Sequence, residues 1–221
     1  MNFQNKFYIY NQYADVQREV AKELISFIDE NTKDKKIESV FEIGCGTGIF
    51  TRCFLENYSP SSLILNDYFD TREYFQNITY DNFYQGNIEE KDIPTADIIV
   101  SSSALQWIVD LEKVISRIAK TGAIFSFSIF TYGNLKEIKN HFDISLNYHK
   151  IEKIYEILKK YFKNIVYKSQ TIKKTFDTPL DALRHLKNTG VTGFKKTTVG
   201  KIRSFKENTL TYEIGYFYCS R

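Results

Sequence analysis

The stretch from Ser39 to Phe50 limits the possible folds more than any other. A short apolar run, Ser39-Val40-Phe41-Glu42-Ile43, meets Gly44-Cys45-Gly46-Thr47-Gly48, and a helical pattern through Phe50, Phe54 and Leu55 follows at once. A buried strand that turns sharply on glycines into a helix is the opening unit of a parallel α/β sheet. Glycine at Gly44 and Gly46 permits positive φ and lets the backbone approach a ligand closely. The alternation continues. Leu63-Ile64-Leu65 ends at Asn66-Asp67, Asn82-Phe83-Tyr84 leads into Gly86-Asn87, and Asp97 to Val100 leads into Ser101-Ser102-Ser103. Leu111 to Ala119 is helical, and Gly122 to Phe130 is an apolar strand. Strands alternating with helices predict an α/β, Rossmann-like, mostly parallel seven-stranded sheet with an antiparallel last strand and helices on both faces.

In front of that unit, Val16, Val20, Leu24, Ile25 and Ile28 recur at helical spacing, so Ala14 to Asn31 reads as an amphipathic helix. Residues 1–36 are expected to form a helical segment over the site. A chain of 221 residues, 43% of them hydrophobic, can enclose one full core. With no internal repeat, no low-complexity linker and three prolines, the expectation is one domain over 1–221.

The glycine turn carries two details that a dinucleotide loop lacks. Glu42 precedes the first glycine by two positions, where its carboxylate can face a cationic amino acid group. The loop is also G-C-G-T-G rather than G-x-G-x-x-G, which leaves no extended phosphate cradle at the helix start. S-adenosylmethionine has an α-ammonium and no phosphate, and both details suit it. Asp67, at the end of the second strand, can accept from both ribose hydroxyls, although Asp also caps turns. Asn87 follows the third strand, where its amide oxygen can accept from the adenine amine; Asn after Gly is equally an ordinary turn. Gly44, Cys45, Gly46 and Gly48, with Glu42, Asp67, Asn87, Ile88 and Ser103, form the expected cofactor set.

Other chemistries are disfavoured. After the fourth strand stands Ser101-Ser102-Ser103-Ala104-Leu105-Gln106-Trp107, not the Asn-Pro-Pro-Tyr type of segment that grips an amino nucleophile. Methylation of a base amine or a glutamine amide is therefore not expected. A net charge of +3 does not argue for nucleic acid. Cys45, Cys53 and Cys219 lack CxxC spacing and neighbouring histidines, which points to reduced thiols in the cytoplasm, with no metal and no disulfide framework. No run resembles a signal peptide or a membrane span. His141, His149 and His185 lie outside the loops expected to build the site, so no residue reads as a dedicated base. A carboxylate nucleophile, with a reference pKa near 4, needs none.

In the tail, Ile151 to Tyr161 reads as a helix, and Asn164 to Phe176 and Leu210 to Cys219 read as strands. Between those strands, residues 178–208 form an insertion with a helix at Leu180 to Asn188, expected on the substrate side at the carboxyl edge of the sheet.

Several of these segments together resemble one family, the malonyl-acyl-carrier-protein methyltransferase of biotin synthesis. The likeness runs through Tyr10 to Gln17, Gly44 to Gly48, Gly86-Asn87-Ile88-Glu89 and Ser103 to Trp107. It continues in Ala182 to Lys187 with Gly190 and Thr192, and in Leu210-Thr211-Tyr212. Asn87, where the family usually has Asp, and Glu42, where Asp is common, are departures. The resemblance implies methyl transfer from S-adenosylmethionine to the free carboxylate of malonyl-acyl carrier protein. It implies no metal, no nucleic acid, no membrane partner, and a monomer or weak dimer. No catalytic residue is required: Tyr10, Gln106 and Trp107 are expected to position the reactants, Tyr10 by closing over the methyl group unless it is a packing aromatic, and Gln106 and Trp107 by shaping the pocket wall unless Trp107 is a core residue. Tyr10, Arg184 and Lys187 bind substrate, with Arg184 holding the malonyl group or the carrier's phosphate arm unless it is a plain solvated helix residue. Lys173, Lys174, Lys195, Lys196, Lys201 and Arg203 form a basic rim for an acidic carrier, or a solvated lysine face. Two alternatives stay open: a methyltransferase of another small carboxylate or hydroxyl, and a non-catalytic cofactor-binding subunit.

Overall fold

A computed structural model describes residues 7–32, 35–190 and 197–221. Its frame is a seven-stranded sheet in the order β3-β2-β1-β4-β5-β7-β6. The strands are β1 (Ser39–Ile43), β2 (Ser62–Asp67), β3 (Asn82–Gln85), β4 (Ile98–Ser102), β5 (Ile124–Phe130), β6 (Asn164–Thr175) and β7 (Thr209–Ser220). The pairings among β1 to β5 are parallel, and β7 runs antiparallel between β5 and β6. This is the sheet expected from the sequence.

Period-two side-chain alternation explains the two layers of core. Val40, Ile98, Val100, Ile214, Tyr216 and Tyr218 face one layer, while Phe41, Ile99, Phe125, Phe127, Ile129 and Phe217 face the other. The first layer is covered by α2 (Asp15–Thr32) and α3 (Ile49–Asn57), the second by α4 (Leu111–Thr121) and α6 (Ile151–Leu158). Small residues let α2 lie close. On β5, Ser126 and Ser128 are fully buried; Ser126 donates to the Phe217 carbonyl, and Ser128 Oγ donates or accepts with Ser102 Oγ.

Four further helices stand among the described residues. Helix α1 (Phe7–Tyr13) precedes α2, and α5 (Lys136–Phe142) follows β5; neither was delimited from the sequence. Helix α7 (Pro179–Thr189) matches the expected insertion helix, and α8 (Val199–Arg203) follows in the same insertion. Thr178 caps α7 by accepting from the Asp181 N–H, Pro179 occupies the first turn where a missing N–H is harmless, and Gly190 closes it with φ 67°. The register Thr175 to Thr209 ends the long β6–β7 hairpin beyond the carboxyl end of β5, so the insertion projects from the same sheet edge as the glycine turn. Helix α1 packs against α7. Thr192, Lys195 and Lys196, and residues 1–6 and 33–34 of the N-terminal segment, lie outside the described residues.

Candidate active site

At the carboxyl ends of β1, β2 and β4, a cavity of about 480 Å³ opens between the glycine turn, the loops after β2, β3 and β4, the middle of α1 and the start of α2. Its floor is the glycine turn. The N–H groups of Gly44 and Cys45 both donate to the Asn66 carbonyl, at 2.8 and 2.9 Å, tying the turn to the end of β2. Gly46 N–H donates to Asp67 Oδ2 at 2.8 Å. Each glycine answers a different demand. Gly44 has φ 74°, and a Cβ there would sit 2.3 Å from Ala104 Cβ. Gly46 has φ 52°, and a Cβ there would meet no atom within 4 Å, so backbone alone leaves the cavity open at this point. Gly48 is not on the wall. It is the αL residue before α3, and its missing side chain makes room for Arg52 and Phe75.

The wall is acidic and neutral. Glu42, at 2% exposure, accepts from Thr51 Oγ1 at 2.7 Å, and burial pushes its carboxyl up to about 8. Asp67 accepts from the Gly46 and Phe69 N–H groups, and burial raises it above the ordinary carboxylate range. Tyr10 reaches the wall from α1. Burial and the charge of Asp67 hold its phenol protonated. Cys45 also lines the cavity, with Sγ against Thr71 Oγ1 and its thiol driven well upward by burial. Asn87 Oδ1 accepts from the Glu89 N–H, an Asx turn, while the residue still lines the cavity beside Ile88.

Ser103 follows β4 in a left-handed conformation, φ 55°, unusual for a residue with a Cβ. Its N–H donates to the Ser128 carbonyl and Oγ, while its own Oγ is sealed from solvent without a partner. Trp107 and Tyr68 line the same space. Gln106 does not. Its amide donates to the Ser103 carbonyl at 2.5 Å, bracing the turn from behind, and its Oε1 is unpartnered.

The other expected substrate residues sit elsewhere. Arg184 is exposed on α7 and paired with Asp181 at 3.0 Å, and Lys187 is exposed one turn later; neither lines the cavity. Among the described lining residues are Glu42, Asp67 and Glu89 but no lysine, arginine or histidine. His185 is buried against Tyr212 OH, and burial lowers it to about 4; His141 Nε2 bonds the Lys201 carbonyl. Lys174 ion-pairs with Asp15 and lies over the Phe176 ring, so it does not belong to an open rim; Lys201 and Arg203 are exposed on α8. Among the described residues no group of three or more His, Cys, Asp or Glu is placed to hold a metal ion, and no helix is long and apolar enough to cross a membrane.

Three contributors were not singled out in the sequence. Thr47 Oγ1 donates to Asn11 Oδ1 at 2.6 Å, fastening α1 to the glycine turn. Glu89 accepts from the Val109 and Asp110 N–H groups, closing the loop after β3 onto the segment after Trp107. Gln17 lines the cavity from the first turn of α2.

A mostly parallel sheet with an antiparallel last strand, a glycine turn after β1, acids at the ends of β1 and β2, and no phosphate cradle at that turn defines a methyltransferase of the Rossmann-like class. The comparisons agree. A methyltransferase domain model matches residues 14–159. The YcgJ protein of Bacillus subtilis superposes with TM-score 0.67 at 10% identity, over 90% of this chain and 98% of that one. Phosphoethanolamine N-methyltransferase 2 of Haemonchus contortus, solved with S-adenosylhomocysteine, superposes with TM-score 0.58 at 16% identity, over 90% of this chain and 52% of that one. Sequence relatives are more specific. A malonyl-[acyl-carrier protein] O-methyltransferase of Chlorobium phaeovibrioides is 32% identical over 90% of this chain and 82% of its own. One from Calditerrivibrio nitroreducens is 32% identical over 96% and 86%. The chain belongs to the malonyl-[acyl-carrier protein] O-methyltransferase family.

Proposed function

We propose that this protein transfers the methyl group of S-adenosylmethionine to the free carboxylate of malonyl-acyl carrier protein, forming the methyl ester. The reading is carried by the 32% identity, across 90% of the chain, to a relative named for that activity. The chemistry of the cavity supports it. A buried acid at Glu42 suits an ammonium, Asp67 suits a ribose diol, Asn87 suits an adenine amine, and the bare backbone at Gly46 leaves room beside them. The unpartnered Ser103 Oγ gives the cavity a polar group that a ligand can satisfy. When bound, S-adenosylmethionine would supply an electrophilic methyl group on a sulfonium, which an ionised carboxylate oxygen can take without prior proton removal as the carbon–sulfur bond breaks and S-adenosylhomocysteine leaves.

The residues' work is then alignment and exclusion of water. Tyr10 closes the cavity from α1 with its hydroxyl proton retained, and Trp107 contributes to the wall, with Gln106 fixing the Ser103 turn. The absence of histidines from the described lining costs such a reaction nothing, because a carboxylate is ionised at neutral pH. We read 1–221 as one methyltransferase domain in which 178–208 meets the carrier. Arg184, exposed beside the α1–α7 contact, suits the carrier's phosphate arm better than a malonyl group inside the cavity.

The direct test is a transfer assay with labelled S-adenosylmethionine. Label is expected on malonyl-acyl carrier protein as a base-labile ester and not on the acetyl form; label on both, or on neither despite cofactor binding, refutes carboxyl methylation. Arg184→Ala should raise KM for malonyl-acyl carrier protein about fivefold and leave kcat unchanged, the range for an exposed ionic contact. The same KM should climb as salt is added and climb less steeply in the variant. A KM equal to that of the parent protein at low salt would remove Arg184 from carrier binding.

A further inference from the structure

Gln17 is a polar side chain in a place that apolar residues usually fill. It lies on the first turn of α2, is 7% exposed, and lines the cavity, yet its Oε1 is sealed from solvent with no hydrogen-bond partner. A buried amide oxygen left unpaired is a standing cost to the fold, which points to a partner that arrives from outside the chain. As the amide is placed, the partner that Oε1 lacks is a donor.

The position of α2 narrows the choice. Helix α2 packs on α3, β4, β5 and β7, on one side of β1, whereas Asp67 ends β2 and Asn87 follows β3 on the other side. Gln17 is thus displaced from the residues suited to the nucleoside. It belongs instead with Glu42, at the end of β1, which accepts from Thr51 of α3. A malonyl group offers only acceptor oxygens at its carboxylate and thioester, which could answer the amide N–H groups of Gln17 but not its Oε1. An α-ammonium offers three N–H donors.

We propose that Gln17 binds the α-ammonium of the cofactor, its Oε1 accepting a charge-assisted hydrogen bond at the end of the cavity that Glu42 also lines. The proposal rests on S-adenosylmethionine being the cofactor. It makes α2, outside the glycine turn, part of the cofactor site, and it makes the ligand a clamp between the N-terminal helices and the sheet. It also gives a bound amino acid end a way to favour the α1–α2 arrangement that Asn11 and Thr47 fasten.

The test compares the parent protein with Gln17→Met, a near-isosteric change that removes the amide. Calorimetry is run with S-adenosylhomocysteine, its decarboxylated analogue (which keeps the amine) and 5′-methylthioadenosine (which lacks the amino acid chain). Affinity for the first two should fall about tenfold or more, as for loss of a hydrogen bond to a charged group, and affinity for the third should change less than about twofold. The melting temperature of the unliganded variant should not fall, because no bond is lost in the free protein. An equal loss for all three ligands, a loss confined to S-adenosylhomocysteine, or no loss at all overturns the role. A parent protein that binds none of the three instead overturns the cofactor reading itself.

Discussion

Gly44→Ala is expected to abolish measurable binding of S-adenosylhomocysteine and to destabilise the fold by about 2–5 kcal/mol. Two penalties combine there. A side chain at φ 74° leaves the comfortable regions of backbone space, and its Cβ would lie 2.3 Å from Ala104 Cβ on the segment after β4. Neither neighbour can yield easily. The turn is held to Asn66 by two N–H bonds, and the segment after β4 is held to Ser128 through the Ser103 N–H. The clash therefore separates the loop after β1 from the loop after β4, and the cavity lies between them. Two companion variants divide the effect. Ala104→Gly added to Gly44→Ala removes the clashing atom and should recover part of the stability, leaving the φ penalty. Gly46→Ala carries strain at φ 52° without a contact inside 4 Å, so thermal stability should fall less while ligand affinity still drops. Chemical denaturation of the three variants with and without S-adenosylhomocysteine decides the matter. A Gly44→Ala protein that is stable and binds normally would show that the turn can open without cost.

Gly44 and Gly48 also show how far the sequence could be read. A strand, a glycine turn and a helix are local, so the pattern from Ser39 to Leu55 specified both the element order and the side of the sheet where a ligand belongs. The helix of the insertion was legible for the same reason, through Thr178, Pro179 and Gly190 at its ends. What spacing does not reveal is which surface a glycine faces. Gly48 lies in the same motif as Gly46 but spares room for Arg52 and Phe75. Polar residues mislead in the opposite direction. Gln17 stands on the apolar stripe of α2, three and four residues before Val20 and Ala21, so helix phase predicts its burial while its polar type does not reveal that it lines the cavity. Lys174 reads as part of a basic rim until Asp15 of α2 is brought against β6. Arg184 shares a helix with the buried Ala182, Leu183 and Leu186, yet points outward to Asp181, a matter of helix phase and not of composition. The pairing of Lys174 depends on a contact distant in sequence, whereas the outward turn of Arg184 is local.

Glu42 carries the prediction that reaches furthest into the chemistry. Its carboxyl is raised from 4.5 to about 8, first by burial and further by Asp67, against the hydrogen bond from Thr51 and the charge of Arg52. The free protein thus holds this carboxyl neutral at pH 7. The sign follows from linkage: the folded chain binds the proton more tightly than the unfolded chain, so the unliganded fold loses stability as pH rises from the ordinary carboxylate range towards 8. A ligand ammonium beside Glu42 reverses the preference and favours the ionised form. Binding of S-adenosylhomocysteine near pH 7 should therefore release about one proton, read as a dependence of the calorimetric enthalpy on the ionisation enthalpy of the buffer. Its affinity should rise by at most about tenfold per pH unit over the range from about 6 to 8. Glu42→Gln keeps the shape and removes the titration. It should remain folded, gain stability relative to the parent protein above pH 8, bind more weakly at that pH, and lose both the proton release and the pH slope. A parent protein whose affinity is flat across that range, with no proton exchanged, would show that the ammonium lies away from Glu42.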